Sequence, residues 1–396
     1  MAERPEDADV IVLNTCSVTL TADQKSRQHI SHLRRANPKA ILVVMGCYSQ
    51  GHAEVALSLG ADLVLGSSKR KHVFDLIDEY RHNPHPRADV KDSLRHEQYE
   101  ELGCNAFTES ARAYLKVQDG CDNFCSYCLI PTMRGNSRSR DPFEVVHEAK
   151  ALVLDGYKEI IISGIHIGGY GKDLGDGNYR LPELLEKILA ECPGLFRLRI
   201  SSIEESEIDD RFLNVLKNHP NIANHLHIPL QSGSSSVLKR MKRKYDTTAF
   251  LQKLEMIRTI RPDIAITTDV IAGFPDESPE EWRETTSFCR LASFCEIHVF
   301  PFSSRPGTFA STLRDLDPQT KKERVRELLS LSKEMRAEYE RRFFGKKMEV
   351  LYEDFDPKAN LVYGHTSNYL LLAVPSTISK RGEIGKIIYG PNVAAD

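Results

Sequence analysis

The sequence predicts an α/β protein in three parts: an N-terminal parallel-sheet domain, a partial (β/α)6 barrel and a small C-terminal β-barrel. Three observations carry this. Short apolar runs alternate with amphipathic helical stretches over the first eighty residues, which implies a parallel sheet. The alternation resumes near residue 110 and runs six times, and successive β/α units of this length wind into a barrel. After residue 344 it gives way to short β-like pieces separated by Gly and polar turns.

Each element follows from its pattern. "VIVLNTC" (10–16) is a short apolar run with polar flanks, hence a buried strand, and a helix runs on to about Asn37. "AILVVMGC" (40–47) and "LVLG" (63–66) are two more strands, with helices over 50–59 and 71–80. Cys16 and Cys47 both fall at the carboxyl ends of their strands, the edge where open parallel sheets hold ligands, so a joint site is favoured over two core cysteines. The N-terminal domain is placed at 1–80, and the polar stretch 81–109, in which Cys104 looks incidental, reads as a linker. The barrel is placed at 110–340, with strands at 113–119, 159–168, 196–204, 225–233, 265–275 and 295–303. Six units are too few for a closed barrel of eight, so an open one is expected. A long helix over 320–344 carries Val325, Leu328, Leu329, Met335, Tyr339 and Phe343 near a 3.6 period. The β domain fills 341–396.

Composition narrows the function classes. The 396 residues are 41% hydrophobic and 28% charged, ordinary for a globular protein with real cores. A net charge of −3 gives no global bias toward nucleic acid, so any basic surface must be local. No apolar run approaches the roughly 18 residues that span a bilayer, and the acidic N-terminus lacks the apolar stretch of a signal peptide. A cytoplasmic protein is expected. Nine cysteines scattered along the chain do not form a disulfide framework and read as metal ligands or core residues.

The chemistry concentrates in "GCDNFCSYCLIPTMRG" (120–135), where Cys121, Cys125 and Cys128 share one loop after the first barrel strand. This spacing lets three thiolates grip three corners of a [4Fe-4S] cluster, which ordinarily takes four, so one iron is left open. A zinc site is the alternative, and it lacks a fourth Cys or a His at zinc-ribbon spacing.

"CDNFCSYC" resembles the radical S-adenosylmethionine enzymes, and "NTCSVT", "GCYSQ", "HIPLQSGSSSVLKRMKRKY", "TTDVIAGFPDE" and "HVFPFSSRPGT" look like their methylthiotransferase family. The resemblance extends from about residue 10 to 310, and the tail is similar to that family's RNA-binding TRAM domain. It implies that S-adenosylmethionine fills the open iron, with the Tyr127 backbone against adenine. It further implies a second [4Fe-4S] cluster, with Cys16 and Cys47 matching two of its ligands. Hydrogen would leave C2 of an adenine in tRNA, sulfur would enter there, and a methyl group from a second S-adenosylmethionine would complete the product. The implied partners are the tRNA anticodon loop and an electron donor such as flavodoxin or ferredoxin, with the chain monomeric. "NTCSVTLTADQKSRQ" and the stretch 138–174 most resemble the branch acting on threonylcarbamoyladenosine; the isopentenyladenosine branch is second and the ribosomal-protein branch third. The family opens with another strand and an "LGC" cysteine upstream of Cys16. The chain begins about one β/α unit later, which points to a misplaced start or to a non-catalytic iron-sulfur RNA-binding protein.

Other residues take roles at the cofactor or at RNA. Ser163 and Gly164, in a glycine-rich loop, are candidates beside the methionine end of the cofactor, and Ser202, Glu204 and Gln231, at strand ends, for its ribose or carboxylate. "KRMKRKY" supplies Lys239, Arg240, Lys242, Arg243 and Lys244, and the cysteine loop adds Arg134, Arg138 and Arg140; together they are candidate phosphate contacts. Between 321 and 347 ten Lys/Arg against five Glu extend that basic character. His166, His225, His227 and His298 are expected to be structural, Cys192, Cys289 and Cys295 to pack in cores, and Asp269 with Gly273 to shape the loop after strand five.

Overall fold

The computed structural model describes residues 2–94, 98–103, 110–175 and 177–395; Cys104 lies outside them. Its contacts divide the chain into two compact units. The first gathers residues through Leu102, Asp119–Arg138 and Ser303–Thr312, and the second holds the remainder.

In the first unit, β1 (Val10–Thr15), β2 (Ile41–Gly46), β3 (Leu63–Leu65) and β4 (Arg87–Asp89) form a parallel sheet in that order. Helices α1 (Leu20–Ala36), α2 (Cys47–Gly51), α3 (Ala53–Ser58) and α4 (Val73–His82) cover it. Ile30, Leu42, Val44 and Tyr48 pack in one core, and Val43, Leu63, Leu65, Val73 and Ile77 in another. Alternate residues of β2 thus serve opposite faces, and both faces of the sheet are buried. Strand β4 corrects the expectation of a linker over 81–109: "RAD" has no apolar rhythm, and its pairing comes from the free edge of β3. The cysteine loop ends in the short helix α5 (Ile130–Arg134).

The second unit contains the six expected parallel strands, β5 (Arg112–Lys116), β6 (Glu159–Ser163), β7 (Arg197–Ile200), β8 (His225–His227), β9 (Ala265–Ala272) and β10 (Glu296–Pro301). β5, β6 and β7 form one ladder and β8, β9 and β10 another, joined by the Leu198–Ile222 bridge and an Ile203 N–H to His227 C=O bond of 3.0 Å. Among the described residues no ladder joins β10 to β5, so the barrel is open. Outside it lie α6 (Pro142–Leu154), α7 (Leu181–Glu191), α8 (Asp210–Asn218), α9 (Ser235–Arg240), α10 (Thr247–Ile260) and α11 (Pro279–Ala292), followed by α12 (Pro318–Arg341). In α12 the buried stripe is Leu328, Leu331, Met335 and Tyr339; Leu329, expected inside, is half exposed.

The C-terminal strands β11 (Lys347–Asp356), β12 (Leu361–Thr366), β13 (Leu371–Pro375) and β14 (Ile384–Ile388) form an antiparallel sheet ordered β13-β12-β11-β14. It docks on the amino-terminal ends of the barrel strands. There Glu159, fully buried, pairs with Arg197 at 2.8 Å and Arg199 at 2.6 Å. The same arginines donate to the backbone carbonyls of His365 (3.4 Å) and Thr366 (3.3 Å). Tyr369 stacks on His225 with ring centres 4.2 Å apart.

Candidate cofactor site

In the first unit the local backbone brings Cys16 and Cys47 together. Thr15 and Gly46 are register partners at the ends of β1 and β2, so the next residue on each strand lies at the same sheet edge. Gly46 has φ +110°, and a Cβ there would stand 2.4 Å from the Thr15 carbonyl oxygen, so the close turn into Cys47 requires glycine. Cys16 is exposed and Cys47 buried.

Each of these cysteines has an arginine close by. Arg134, on α5, donates from Nε to Cys47 Sγ at 3.2 Å and from Nη1 to both Asp119 oxygens at 3.1 and 3.2 Å. Burial works against its charge, yet Asp119 and Cys47 together raise its pKa above the usual arginine value. Arg305 is 3% exposed and donates from Nη2 to Ser17 Oγ (2.9 Å) and Asp23 Oδ2 (2.6 Å), the residue after Cys16 and the first turn of α1. Its Nε and Nη1 are buried without a protein partner. A thiolate-held anionic group fits beside two guanidinium charges, one with spare donors.

The three-cysteine loop is fixed by backbone contacts. The Cys121 N–H bonds the Gly135 carbonyl at 3.1 Å, the Cys128 N–H bonds the Cys125 carbonyl at 3.0 Å, and the Ile130 N–H points at Cys128 Sγ at 3.4 Å. Gly120 and Gly135 have φ of +73° and +76°, and a Cβ on either would come within 2.0 Å of a carbonyl oxygen. Phe124, between the first two cysteines, is half exposed and left-handed at φ 47°, uncommon for an aromatic and typical of a functional loop. Tyr127 is part-buried in the same turn.

Among the described residues, the group of three candidate ligands whose atoms converge within 4.8 Å is His227, Asp269 and His298.

In the second unit the expected cofactor contacts sit at strand ends. Ser163 closes β6, and the loop after it is held by a residue the sequence reading missed: Gln118, fully buried, accepts from the N–H groups of Ile165 (3.1 Å) and His166 (2.7 Å). A Cβ on Gly164 would meet the Gln118 carbonyl at 3.0 Å, so this loop too requires glycine. Gln231 is left-handed at φ 68°, and its backbone is pinned to β9 by bonds to Asp269 C=O and Ile271 N–H of 2.8 and 2.9 Å. Ser202 is part-buried beyond β7. Glu204 pairs with Arg243, which also lies 5.0 Å from the centre of the Tyr245 ring, so this carboxylate is engaged within the barrel.

The basic set is narrower than expected. Arg138 and Arg140 are 9% and 5% exposed, and Arg140 pairs with Glu148 at 2.7 Å. Arg134, Arg240 and Arg243 are held by Asp119 with Cys47, by Glu281 and by Glu204. Arg134, Arg140, Arg240 and Arg243 are thus tied to carboxylates in this structure, and Arg138 is buried. Lys239, Lys242 and Lys244 are exposed.

Inside the barrel, polar side chains of three neighbouring strands meet. Asp269 Oδ1 lies 3.3 Å from both His227 Nε2 and His298 Nδ1. Burial would raise the Asp269 pKa, but the two imidazoles bring it down to about 2. Hydrogen bonds to Asp269 and Glu296 lift His298 to about 9. His225, fully buried, is pushed well below the usual histidine value by burial. Cys289 and Cys295 are packed in cores, where burial pushes both thiols up to about 12, and Cys192 is buried as well. Among the described residues no helix is long and apolar enough to cross a membrane.

Residues 115–289 match the Radical SAM superfamily, and residues 1–66 match a family described as Uncharacterized protein family UPF0004. The chain is 43% identical over 387 residues to the threonylcarbamoyladenosine tRNA methylthiotransferase MtaB of Bacillus subtilis, covering 96% of this chain and 85% of that protein. It is 38% identical over 365 residues to the Thermotoga maritima protein of the same name, covering 89% and 82%. To the tRNA-2-methylthio-N(6)-dimethylallyladenosine synthase of Geobacillus thermodenitrificans it is 35% identical over 359 residues, covering 89% and 68%. Among solved structures, the radical S-adenosylmethionine methyltransferase TsrM of Kitasatospora setae shares the fold, with a TM-score of 0.56 at 14% identity over 75% of this chain and 62% of that one.

Proposed function

The chain belongs to the radical S-adenosylmethionine tRNA methylthiotransferases, and from that premise we propose that it methylthiolates C2 of threonylcarbamoyladenosine beside the tRNA anticodon. The observation that carries the substrate is the 43% identity, over most of both chains, to a relative named for threonylcarbamoyladenosine, against 35% to one named for dimethylallyladenosine. Cys121, Cys125 and Cys128 hold the cluster that receives S-adenosylmethionine, and Cys16 and Cys47 contribute to the second one. A [4Fe-4S] cluster held by Cys121, Cys125 and Cys128 would supply reducing chemistry toward the sulfonium of S-adenosylmethionine, with a flavodoxin or ferredoxin as the electron donor. Tyr127, Ser163, Gly164, Ser202 and Gln231 line the cofactor through backbone and short polar groups, with Gln118 holding the Ser163–His166 turn. Lys239, Lys242 and Lys244 remain as the exposed phosphate contacts of the "KRMKRKY" run.

The test is mass spectrometry of tRNA nucleosides from cells that lack their own enzyme and express this chain. A methylthio group on threonylcarbamoyladenosine is expected, and it should vanish with Cys125→Ala. A mark on isopentenyladenosine instead would move the substrate to the sister branch.

A further inference from the structure

We propose that His227, Asp269 and His298 form a binding site for a divalent first-row transition-metal ion inside the barrel, built without any of the cysteines.

The three residues come from adjacent parallel strands. Asp269 on β9 and His298 on β10 are register partners, and His227 on β8 is opposite Thr267, two residues before Asp269. Side chains two apart on a strand share a face, so the strand period itself aims all three into the lumen. Their ligand atoms lie within 4.8 Å of one another, with 3.3 Å from Asp269 Oδ1 to His227 Nε2 and to His298 Nδ1. Ligands bonded to one ion at ~2.1 Å stand about 3.0–3.4 Å apart, so two edges of the coordination shell already have the right length.

The far side of each ring is also provided for. His227 Nδ1 is 2.9 Å from Thr267 Oγ1, and His298 Nε2 is 3.5 Å from Glu296 Oε1. A ligating imidazole donates its other N–H to such an outer acceptor, which fixes the tautomer and aims the free nitrogen at the metal. An ordinary Asp–His ion pair needs one ring. Here two rings, stacked with centres 5.3 Å apart, converge on one oxygen, and two imidazolium charges at that distance would repel. A single cation between them satisfies both rings and the carboxylate together, with Glu296 adding a second negative charge.

Two imidazoles and one carboxylate suit Fe2+, Mn2+, Co2+ or Zn2+. The His298 and Asp269 side chains are 41% and 25% exposed, so positions of the ion not taken by protein face open space and can accept an oxygen ligand.

The probe is Mn2+, which takes nitrogen and oxygen donors readily and thiolates poorly. Full-length, cluster-loaded protein is titrated anaerobically with Mn2+, and free ion is counted by electron paramagnetic resonance. One tightly bound Mn2+ per chain is expected, with affinity reduced at least about 100-fold in Asp269→Asn and in His298→Gln while iron content and melting temperature stay at wild-type values. If Asp269→Asn does not fold, His227→Gln takes its place with the same expected loss. Wild-type protein that binds no stoichiometric Mn2+, or folded variants that bind it as tightly as wild type, would overturn the site.

Discussion

At the scale of single residues, Arg134 unites two parts of the chain's chemistry. It follows Cys128 by six positions yet bonds the sulfur of Cys47, so one guanidinium links the three-cysteine loop to the N-terminal pair. Arg134→Met removes the donor and leaves Asp119 buried without its closest charge. Outer-shell losses of this kind cost ~10–100-fold in metal affinity. Iron and sulfide analysis of Arg134→Met in a Cys125→Ala background should show less iron than Cys125→Ala alone; equal iron would remove Arg134 from this role. Legibility differed sharply among residues. The cysteine motif could be read because ligand spacing within one loop is a property of the sequence itself. The meeting of His227, Asp269 and His298 could not, since it depends on which strands become neighbours. The arginines' partners were hidden for a related reason: a run such as "KRMKRKY" gives the charges but not the carboxylates, Glu204 and Glu281, that come from other parts of the chain to pair with them.

At the scale of elements, helix ends carried clear signals. "SPEE" opens α11 with Ser278 as the cap, Pro279 in the first turn and Glu281 closing a reciprocal capping box. Glu281 also takes both arms of Arg240 at 2.8 and 2.7 Å, tying α9 to α11. That ion pair, ahead of the cap, lowers the Glu281 pKa from 4.5 to about 2. A carboxyl depressed in the folded state contributes stability that is present above its unfolded value and lost as pH falls through the folded one. Unfolding measured by denaturant should therefore show wild type losing this increment between pH 4.5 and about 2. Glu281→Gln should start about 1–3 kcal/mol less stable at neutral pH and lack that part of the acid dependence. Where elements escaped the sequence reading, the cause was pairing rather than propensity. β4 has three polar-flanked residues and exists because β3 offers an unpaired edge. In α12 the buried face carries Leu331 in place of Leu329, two positions along, because one stretch of the helix packs into the barrel core and the next into the core of the C-terminal sheet.

At the scale of the whole molecule, the six-fold β/α rhythm was enough to give the open barrel, because periodicity and strand count are global properties of the sequence. The docking of the C-terminal sheet was not readable, since it rests on charges buried at the barrel's amino end. Arg199 is central there: it bonds Glu159 and the Thr366 carbonyl and lies 5.4 Å from the Tyr369 ring centre. Arg199→Met leaves a fully buried carboxylate with one partner fewer, a loss of about 3–5 kcal/mol by analogy with other broken buried pairs. Calorimetry should show barrel and C-terminal sheet melting earlier and still in one step; a sheet that melts separately would mean the docking layer does not couple them.

The first unit draws on three separated stretches of chain, and its last contribution, Ser303–Thr312, brings Arg305 to Ser17 and Asp23. During synthesis at ~5–20 residues per second, the ribosome needs roughly 10–40 s to travel from the end of the first stretch to the end of the third. Throughout that interval Cys16 and Cys47 are already outside the exit tunnel while the arginine that anchors their neighbourhood is not yet made. The side chains around Cys16 and Cys47 are therefore complete only after the last barrel strand has been made, and an N-terminal fragment ending at Leu102 lacks both Arg134 and Arg305.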